Sequence, residues 1–237
     1  MARSTHRAGE SVPDMPQLDP GIRLLDLRGR DPAPLHSLVL DHLLVTGGTA
    51  LWIDARNQGP SQLLASLAPS PRVLDRVRIA RGFTAFQHAS IVEHAGEHLH
   101  DDTAILVAPA VDSQYRDDDV RGVEPRALLL RTLARLAGYA REYDLPVLVT
   151  RTATDRLGAP VAASARETIA VERTRFGPRF TASDFETLVY PGPGNRHLQT
   201  TLAFWERVLE ARQPLYEAAP AAPATPAAPE VTTHGSH

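Results

Sequence analysis

Four histidines between positions 88 and 100 are the residues whose type and spacing best suit metal chemistry. They are His88, His94, His98 and His100, and acidic residues surround them, at Glu93, Glu97, Asp101 and Asp102. His94 and His98 are four positions apart, which places both imidazoles on one face of a helix, as zinc ligation requires. The HEXXH pattern is absent, and histidines among acids also occur on solvated surfaces. We therefore take His94 and His98 as weak metal candidates and predict no cofactor.

The serines offer no sign of nucleophilic catalysis. None lies in a GxSxG elbow, the strand-to-helix turn that exposes a nucleophilic hydroxyl. Helix caps and turns account for the residues concerned, which are Ser37, Ser61, Ser90, Ser113, Ser164 and Ser183. A Ser-His-Asp hydrolase is not predicted.

The 237-residue chain contains no lysine, and all 25 of its basic residues are arginine. A Walker A phosphate loop needs a lysine ammonium that reaches the β- and γ-phosphates, together with backbone amides and a Ser or Thr hydroxyl on magnesium. The usual ATPase mechanism therefore cannot operate in this chain.

Composition limits the other classes of function. The chain has no cysteine, which excludes disulfides, thiolate zinc sites and thiol nucleophiles and fits a reducing cytoplasm. A net charge of −3 predicts no strong general attraction to nucleic acid. No apolar run reaches membrane-spanning length, so we expect a soluble, cytoplasmic protein without membrane contact.

Apolar runs alternate between strand and helix periods along most of the chain. Buried strands are predicted at 22–27, 49–55, 77–81, 104–111 and 146–150, and helices at 32–43, 60–67, 86–99 and 125–143. This alternation predicts an α/β fold with a mainly parallel sheet flanked by helices. Short strands at 167–174, 179–181 and 185–190, with a turn at Gly177 and Pro178, predict an antiparallel extension. An amphipathic helix then closes the domain with Leu198, Leu202, Trp205 and Leu209.

The length fits one sizeable domain between two tails. We predict a flexible N-terminal segment at residues 1–20, a core domain at 21–213, and a disordered Ala/Pro-rich tail at 214–237. The tail composition cannot bury a core and is typical of an extended tether.

Several strings, in their order and spacing, resemble the RecA/RadA recombinase family in its archaeal RadA and RadB branch. They are RVLDRVRIARGFTAFQHASIVE at 72–93, TALWIDA at 49–55, SQYR at 113–116 with RG at 121–122, and LLLRTLARLAGYAREYDLPVLVTRT at 128–152. The resemblance covers residues 21–191 and implies a RecA-like P-loop NTPase core with two DNA-binding loops. Fold likeness alone does not establish activity.

The phosphate loop that the resemblance implies falls at residues 29–36, and it departs from the family motif at almost every position. The degenerate loop comprises Gly29, Arg30, Pro34, Leu35 and His36. Gly29 matches the first glycine, whereas Pro34, Leu35 and His36 replace the second glycine, the lysine and the hydroxyl residue. Two prolines in this loop have no amide to offer a phosphate, and Asp31 adds an anion.

The acidic positions that the resemblance implies are degenerate too. The magnesium-associated aspartate corresponds to Pro109, and the acid that positions the attacking water falls near Arg56, although Asp54 of the same strand is retained. Loss of the lysine, hydroxyl, metal ligand and polarising acid together leaves no electrostatic clamp on a transferring phosphoryl group. The chain is therefore expected to be a pseudo-ATPase and not an enzyme.

DNA contacts are the activity that the resemblance leaves open. The candidates near the two implied DNA loops are Arg116, Arg121, Arg126, Arg151 and Arg156, because guanidinium groups hold phosphates in bidentate fashion. The alternative is a solvated loop in which the first three pair with Asp117, Asp118, Asp119 and Glu124. The implied second loop is short, which speaks against independent strand exchange.

Phe86 and Ala89 have the spacing of the family's Phe-x-x-Ala assembly element, but core packing within a helix explains them better. We therefore expect a noncatalytic RecA/RadA paralogue that acts as a binding or regulatory module in DNA recombination and repair. A recombinase or repair protein would be its partner, with weak single-stranded DNA binding as a further expectation. Two alternatives remain: a divergent ATPase completed in trans by a partner, and an architectural protein-interaction module without DNA contact.

Overall fold

A computed structural model describes residues 12–27, 31–55, 61–116, 124–175, 177–183, 186–189 and 201–219. The strands are β1 Gly21–Leu27, β2 Thr49–Ala55, β3 Val77–Gly82, β4 Thr103–Ala108, β5 Pro146–Val149, β6 Glu167–Thr174, β7 Gly177–Thr181 and β8 Glu186–Leu188. The helices are α1 Ala33–Thr46, α2 Ser61–Leu67, α3 Pro71–Leu74, α4 Ala85–His94, α5 Pro125–Glu142, α6 Gly158–Ser164, α7 Thr201–Ala211 and α8 Gln213–Ala218, with short 3-10 turns at Ala95–His98 and Gln114–Arg116.

All eight strands form one sheet in the order β3-β2-β4-β5-β1-β6-β7-β8. The first six strands in this order pair in parallel, and β7 and β8 add an antiparallel end. Parallel neighbours need crossovers that cover both faces, which explains why the central strands are continuous apolar runs. The α/β class, the mainly parallel sheet and the antiparallel extension are confirmed.

The sheet separates two hydrophobic cores, because successive strand side chains point to opposite faces. In β1, Leu25 belongs to the core that holds α1, α2 and α7, and Leu24 to the core that holds α4, α5 and α6. Trp52 and Ile53 of β2 divide in the same way. We call the first group, with α3 and α8, the α1 layer, and the second group the α5 layer.

The structure differs from the sequence predictions at several places. Gly177 and Pro178, predicted as a turn, lie in β7, where Gly177 pairs with Thr174 and adopts a φ of +138° that favours glycine. The helix α6 was not predicted, because seven residues rich in alanine show no clear period. Chain packing also extends past the predicted core bounds, since Met15 and Leu18 are buried in the α1 layer and α8 continues to Ala218.

Within the residues that the structure describes, no helix combines the length and the apolar character needed to cross a membrane.

Candidate functional site

The connections out of β1 and β5 define a crevice at the carboxyl edge of the sheet. These two strands are neighbours, yet β1 leads to α1 on one face and β5 leads to α6 on the other. Open parallel sheets bind ligands at such a switch point, outside the carboxyl ends of the strands. A site at this edge would therefore be formed by residues at the start of α1 and after β4 and β5.

The start of α1 has no amide left for an anion. Asp31 accepts a hydrogen bond from the amide of Ala33 at 3.0 Å, and the amides of Leu35 and His36 both donate to the carbonyl of Pro32, at 3.1 and 3.3 Å. Pro32 and Pro34 have no amide hydrogen at all. A helix N-terminus binds phosphate through free amide donors, and residues 32–36 offer none.

Among the described residues of the implied phosphate loop, the side chains at 34–36 are buried. Leu35 and His36 are each 2% exposed. The His36 ring packs against Trp52 with centroids 5.1 Å apart, and its Nδ1 lies 2.7 Å from the Pro32 carbonyl oxygen. Burial lowers the pKa of His36, which keeps the imidazole neutral. Gly29, Arg30 and Arg56 lie outside the described residues.

An arginine and a carboxylate occupy the crevice between β1 and β5. Arg151, two residues after β5, donates from Nε and Nη2 to the two carboxylate oxygens of Asp26 in β1, at 3.2 and 2.7 Å. This is a bidentate pair, the strongest common form of charged hydrogen bond in proteins. Arg151, a predicted DNA contact, is thus held by a partner in its own sheet.

A second arginine is clamped by two carboxylates beside β4. Asp112, which is fully buried, accepts from Nε and Nη2 of Arg116 at 3.1 and 2.5 Å, and from the amide and hydroxyl of Thr152 at 2.8 and 2.9 Å. Asp155 accepts from Nη1 and Nη2 of Arg116 at 2.6 and 2.9 Å. The hydrogen bond from Arg116 lowers the pKa of Asp155 well below its ordinary value. The predicted partners at 117–119 lie outside the described residues.

Asp155 also places α6. Its Oδ1 accepts hydrogen bonds from the amides of Leu157 and Gly158 at 3.1 and 3.0 Å, so one carboxylate joins Arg116 to the start of this helix. Position 158 requires glycine, because a Cβ there would lie 1.7 Å from the carbonyl oxygen of Ala153.

The turn after β4 is held by backbone and hydroxyl contacts. Pro109 is buried and offers no side-chain oxygen. The next residue, Ala110, has a φ of +46°, and its amide donates to Oγ1 of Thr150 at 2.7 Å. Asp54 in β2 is buried and accepts from Nε of Arg81 in the neighbouring strand at 3.0 Å. Register across β2 and β3 places these two residues side by side.

The histidines diverge in the structure. His88 is fully buried, with its Nδ1 2.9 Å from the Tyr115 hydroxyl, which lies 2.8 Å from Oγ1 of Thr132. Burial lowers the pKa of His88 to about 4. His94 and His98 are exposed, and Nδ1 of His94 lies 2.8 Å from the carbonyl oxygen of Ser90 in its own helix. Across the described ranges, no three His, Asp or Glu side chains come together as a metal site.

Two predicted arginines share a groove. Arg126 in the first turn of α5 and Arg156 just before α6 are both exposed, and both line a cavity of about 660 Å³ between these helices, which we call the α5/α6 groove. In the part of the chain that the structure describes, neither has an ion-pair partner, and Glu124 does not pair with Arg126. Arg121 lies outside the described residues.

Sequence reasoning missed both the carboxylate partners and the groove. Asp26, Asp112 and Asp155 lie 125, 4 and 39 positions from the arginines they bind, so only the spacing between Asp112 and Arg116 was visible locally. The groove depends on α6, a helix that no periodic pattern in the sequence predicted. Comparisons with models of known protein families and with curated proteins found no match to this chain.

Proposed function

We propose that the chain is a noncatalytic binding module, a RecA/RadA-like paralogue that acts through a protein partner in DNA recombination and repair. The observation that carries the proposal is the start of α1, where each backbone amide from Pro32 to His36 is either missing or already bonded. A phosphoryl-transfer site needs donors directed at the phosphates before any chemistry can follow.

The charges at the carboxyl edge support the same conclusion. Arg151 and Arg116 follow β5 and β4 in the chain, and each is held by carboxylates of the chain itself. A nucleotide phosphate would have to break a bidentate pair and leave a carboxylate, buried in the case of Asp112, without its cation. Leaving a buried carboxylate such as Asp112 without its cation is costly, and a ligand would have to offset that cost.

The role in recombination and repair comes from the sequence resemblance, and the partner follows from the surface. Two of the five candidate DNA arginines are consumed by internal pairs, and a net charge of −3 provides no general attraction to a phosphate backbone. A protein partner is therefore favoured over DNA as the principal ligand.

Isothermal titration of the full chain with Mg·ATP tests the noncatalytic proposal. We expect no saturable heat up to millimolar nucleotide, with circular dichroism recorded on the same sample to establish that the chain is folded. The variants Pro32→Gly and Pro34→Gly each restore one missing amide donor. They serve as controls, because nucleotide binding should be stronger in them than in the unaltered chain. Micromolar binding by the unaltered chain, or measurable ATP turnover, would overturn the proposal.

Co-purification from the native host tests the partner. The tagged chain should retain a recombinase or repair protein after nuclease treatment, because the contact proposed is between proteins. Recovery of no such protein, or recovery that disappears with nuclease, would refute this part of the proposal and leave an architectural role or DNA binding instead.

A further inference from the structure

The α5/α6 groove joins an apolar floor to a cationic end. On α5 the floor is formed by Leu130, Ala134 and Ala137, and on α6 by Ala159, Pro160 and Ala163. Leu130 is 41% exposed, although it belongs to a helix whose neighbouring leucines Leu129 and Leu133 are at most 2% exposed. An apolar side chain left in water beside small alanines forms a surface that a partner can cover with favourable free energy.

Chain connectivity fixes the direction of the groove. The helix α5 connects β4 to β5, and α6 connects β5 to β6, with all three strands parallel. Both helices therefore begin at the carboxyl edge of the sheet and run the same way. Arg126 lies in the first turn of α5, and Arg156 lies just before α6. Both therefore lie at the same end of the groove, and the apolar stretch extends away from them.

The spacing on α5 suits a helical ligand. Arg126, Leu130, Ala134 and Ala137 follow one another at intervals of three or four residues and form a single stripe. At a rise of 1.5 Å per residue the stripe is about 16 Å long, which is close to three turns of helix. Alanines on both walls permit a partner helix to approach closely, as in other helix-in-groove contacts.

The charges select the chemistry of the ligand. Both arginines are exposed and form no ion pair with the described residues, so carboxylates of a ligand can pair with guanidinium groups that these residues leave available. Nucleic acid fits less well. Among the described residues that line the groove, Ser164 is the only uncharged polar one, and these residues offer no donor set for bases or for a run of phosphates.

We propose that the α5/α6 groove binds an amphipathic helix of a partner protein, with acidic residues at one end of that helix pairing with Arg126 and Arg156. This inference rests on the proposed binding function and names the chemistry of its partner. Apolar contacts supply the area, and the two arginines set the orientation of the bound segment.

A displayed library of random 16-residue peptides, selected on the immobilised full-length chain, tests the inference with a defined probe. Enriched peptides should carry two or more Asp or Glu residues at one end and apolar residues at i, i+3, i+4 and i+7. Binding of the enriched peptides should fall at least tenfold in the double variant Arg126→Glu/Arg156→Glu and in Leu130→Asp.

A matched control has the same change of charge elsewhere. Arg72→Glu/Arg131→Glu alters one exposed arginine in the α1 layer and one on α5 outside the groove, and it should bind the enriched peptides like the unaltered chain. Circular dichroism and thermal unfolding of every variant separate lost binding from lost folding.

The inference is overturned by a selection that yields no enrichment, by enriched peptides without acidic excess, or by equal loss of binding in the control. Tighter binding of a single-stranded oligothymidylate than of any selected peptide, lost with Arg126 and Arg156, would assign the groove to nucleic acid. Each of these results leaves the nucleotide titration unchanged, so failure here is distinct from failure of the noncatalytic proposal.

Discussion

The two helical layers cover opposite faces of the same sheet, and their outer surfaces differ. In the α1 layer, the side chain of Arg212 binds both carboxylate oxygens of Asp41, at 2.5 and 3.0 Å, and also contacts the carbonyl of Pro13. Tyr216 donates to the same carboxylate at 2.7 Å. The N-terminal segment, α1 and α8 are thereby closed into one unit, with Arg212 and Asp41 at 7% and 4% exposure.

The α5 layer stays open. Its core is as well buried as that of the α1 layer, and Leu129 and Leu136 are fully buried. However, α6 is a short helix and leaves the α5/α6 groove beside it. The contrast separates two uses of arginine. Arg212 stabilises the fold from a buried position, whereas Arg126 and Arg156 lie at the surface and form no ion pair with the described residues. Stability and binding should therefore respond to different residues.

Removing Arg212 should have the largest effect. Arg212→Ala leaves the Asp41 carboxylate buried without its cation, which costs about 3–5 kcal/mol of the free energy of unfolding. Urea denaturation monitored by circular dichroism measures the loss. The exposed-site control Arg72→Ala should change the free energy by less than about 0.5 kcal/mol. Equal stability of Arg212→Ala and the unaltered chain would show that the α1 layer is not closed by this cluster.

Truncating the core beneath the groove should come next. Leu136→Ala removes a fully buried side chain from the α5 layer and should destabilise by about 2–5 kcal/mol, because the cavity left behind collapses only in part. Thermal or urea unfolding tests it. If Leu136→Ala instead unfolded at the same urea concentration as the unaltered chain, the layer would be packed more loosely than the structure indicates.

Acid should weaken the α5 layer through His88. Its pKa in the folded chain is about 4, below the ordinary value of 6.5, so the unfolded chain binds more protons between these pH values. The contribution of His88 is complete above pH 6.5 and is lost as the pH falls towards 4, at up to about 1.4 kcal/mol per pH unit. Burial lowers the pKa of His36 and His42 as well, so they add to the slope in the same direction.

Urea midpoints at pH 7 and 4.5 measure this dependence. His88→Gln should show a shallower loss of stability between the two pH values than the unaltered chain, and the exposed control His94→Gln should keep the full loss. Equal slopes in all three proteins would mean that His88 does not titrate as its burial requires.

Changes in the groove should have the smallest effect on folding. Leu130→Ala and Arg126→Ala alter exposed side chains, so each should change the free energy of unfolding by less than about 0.5 kcal/mol. Urea denaturation beside Leu136→Ala makes the comparison within one helix. Destabilisation of Leu130→Ala by 2 kcal/mol or more would show that the groove is part of the core and not a free surface.

The sequence alone determined most of the elements and their order. Apolar runs place β2 and β6 at the bounds found in the structure, and the alternation of strand and helix periods predicts the mainly parallel sheet, because burial on both faces demands continuous apolar strands. The two prolines at 32 and 34 also remove two amide donors from the start of α1, since neither can donate wherever the helix lies.

Only the tertiary structure decided which arginines are held in ion pairs. Arg151 and Arg126 are alike in the sequence, yet the pairing of β1 with β5 brings Asp26 to Arg151 across 125 positions and leaves Arg126 exposed at the α5/α6 groove. Ion pairs depend on distances of a few ångströms, and such distances between remote positions are set by strand order and helix packing, which local periodicity does not encode.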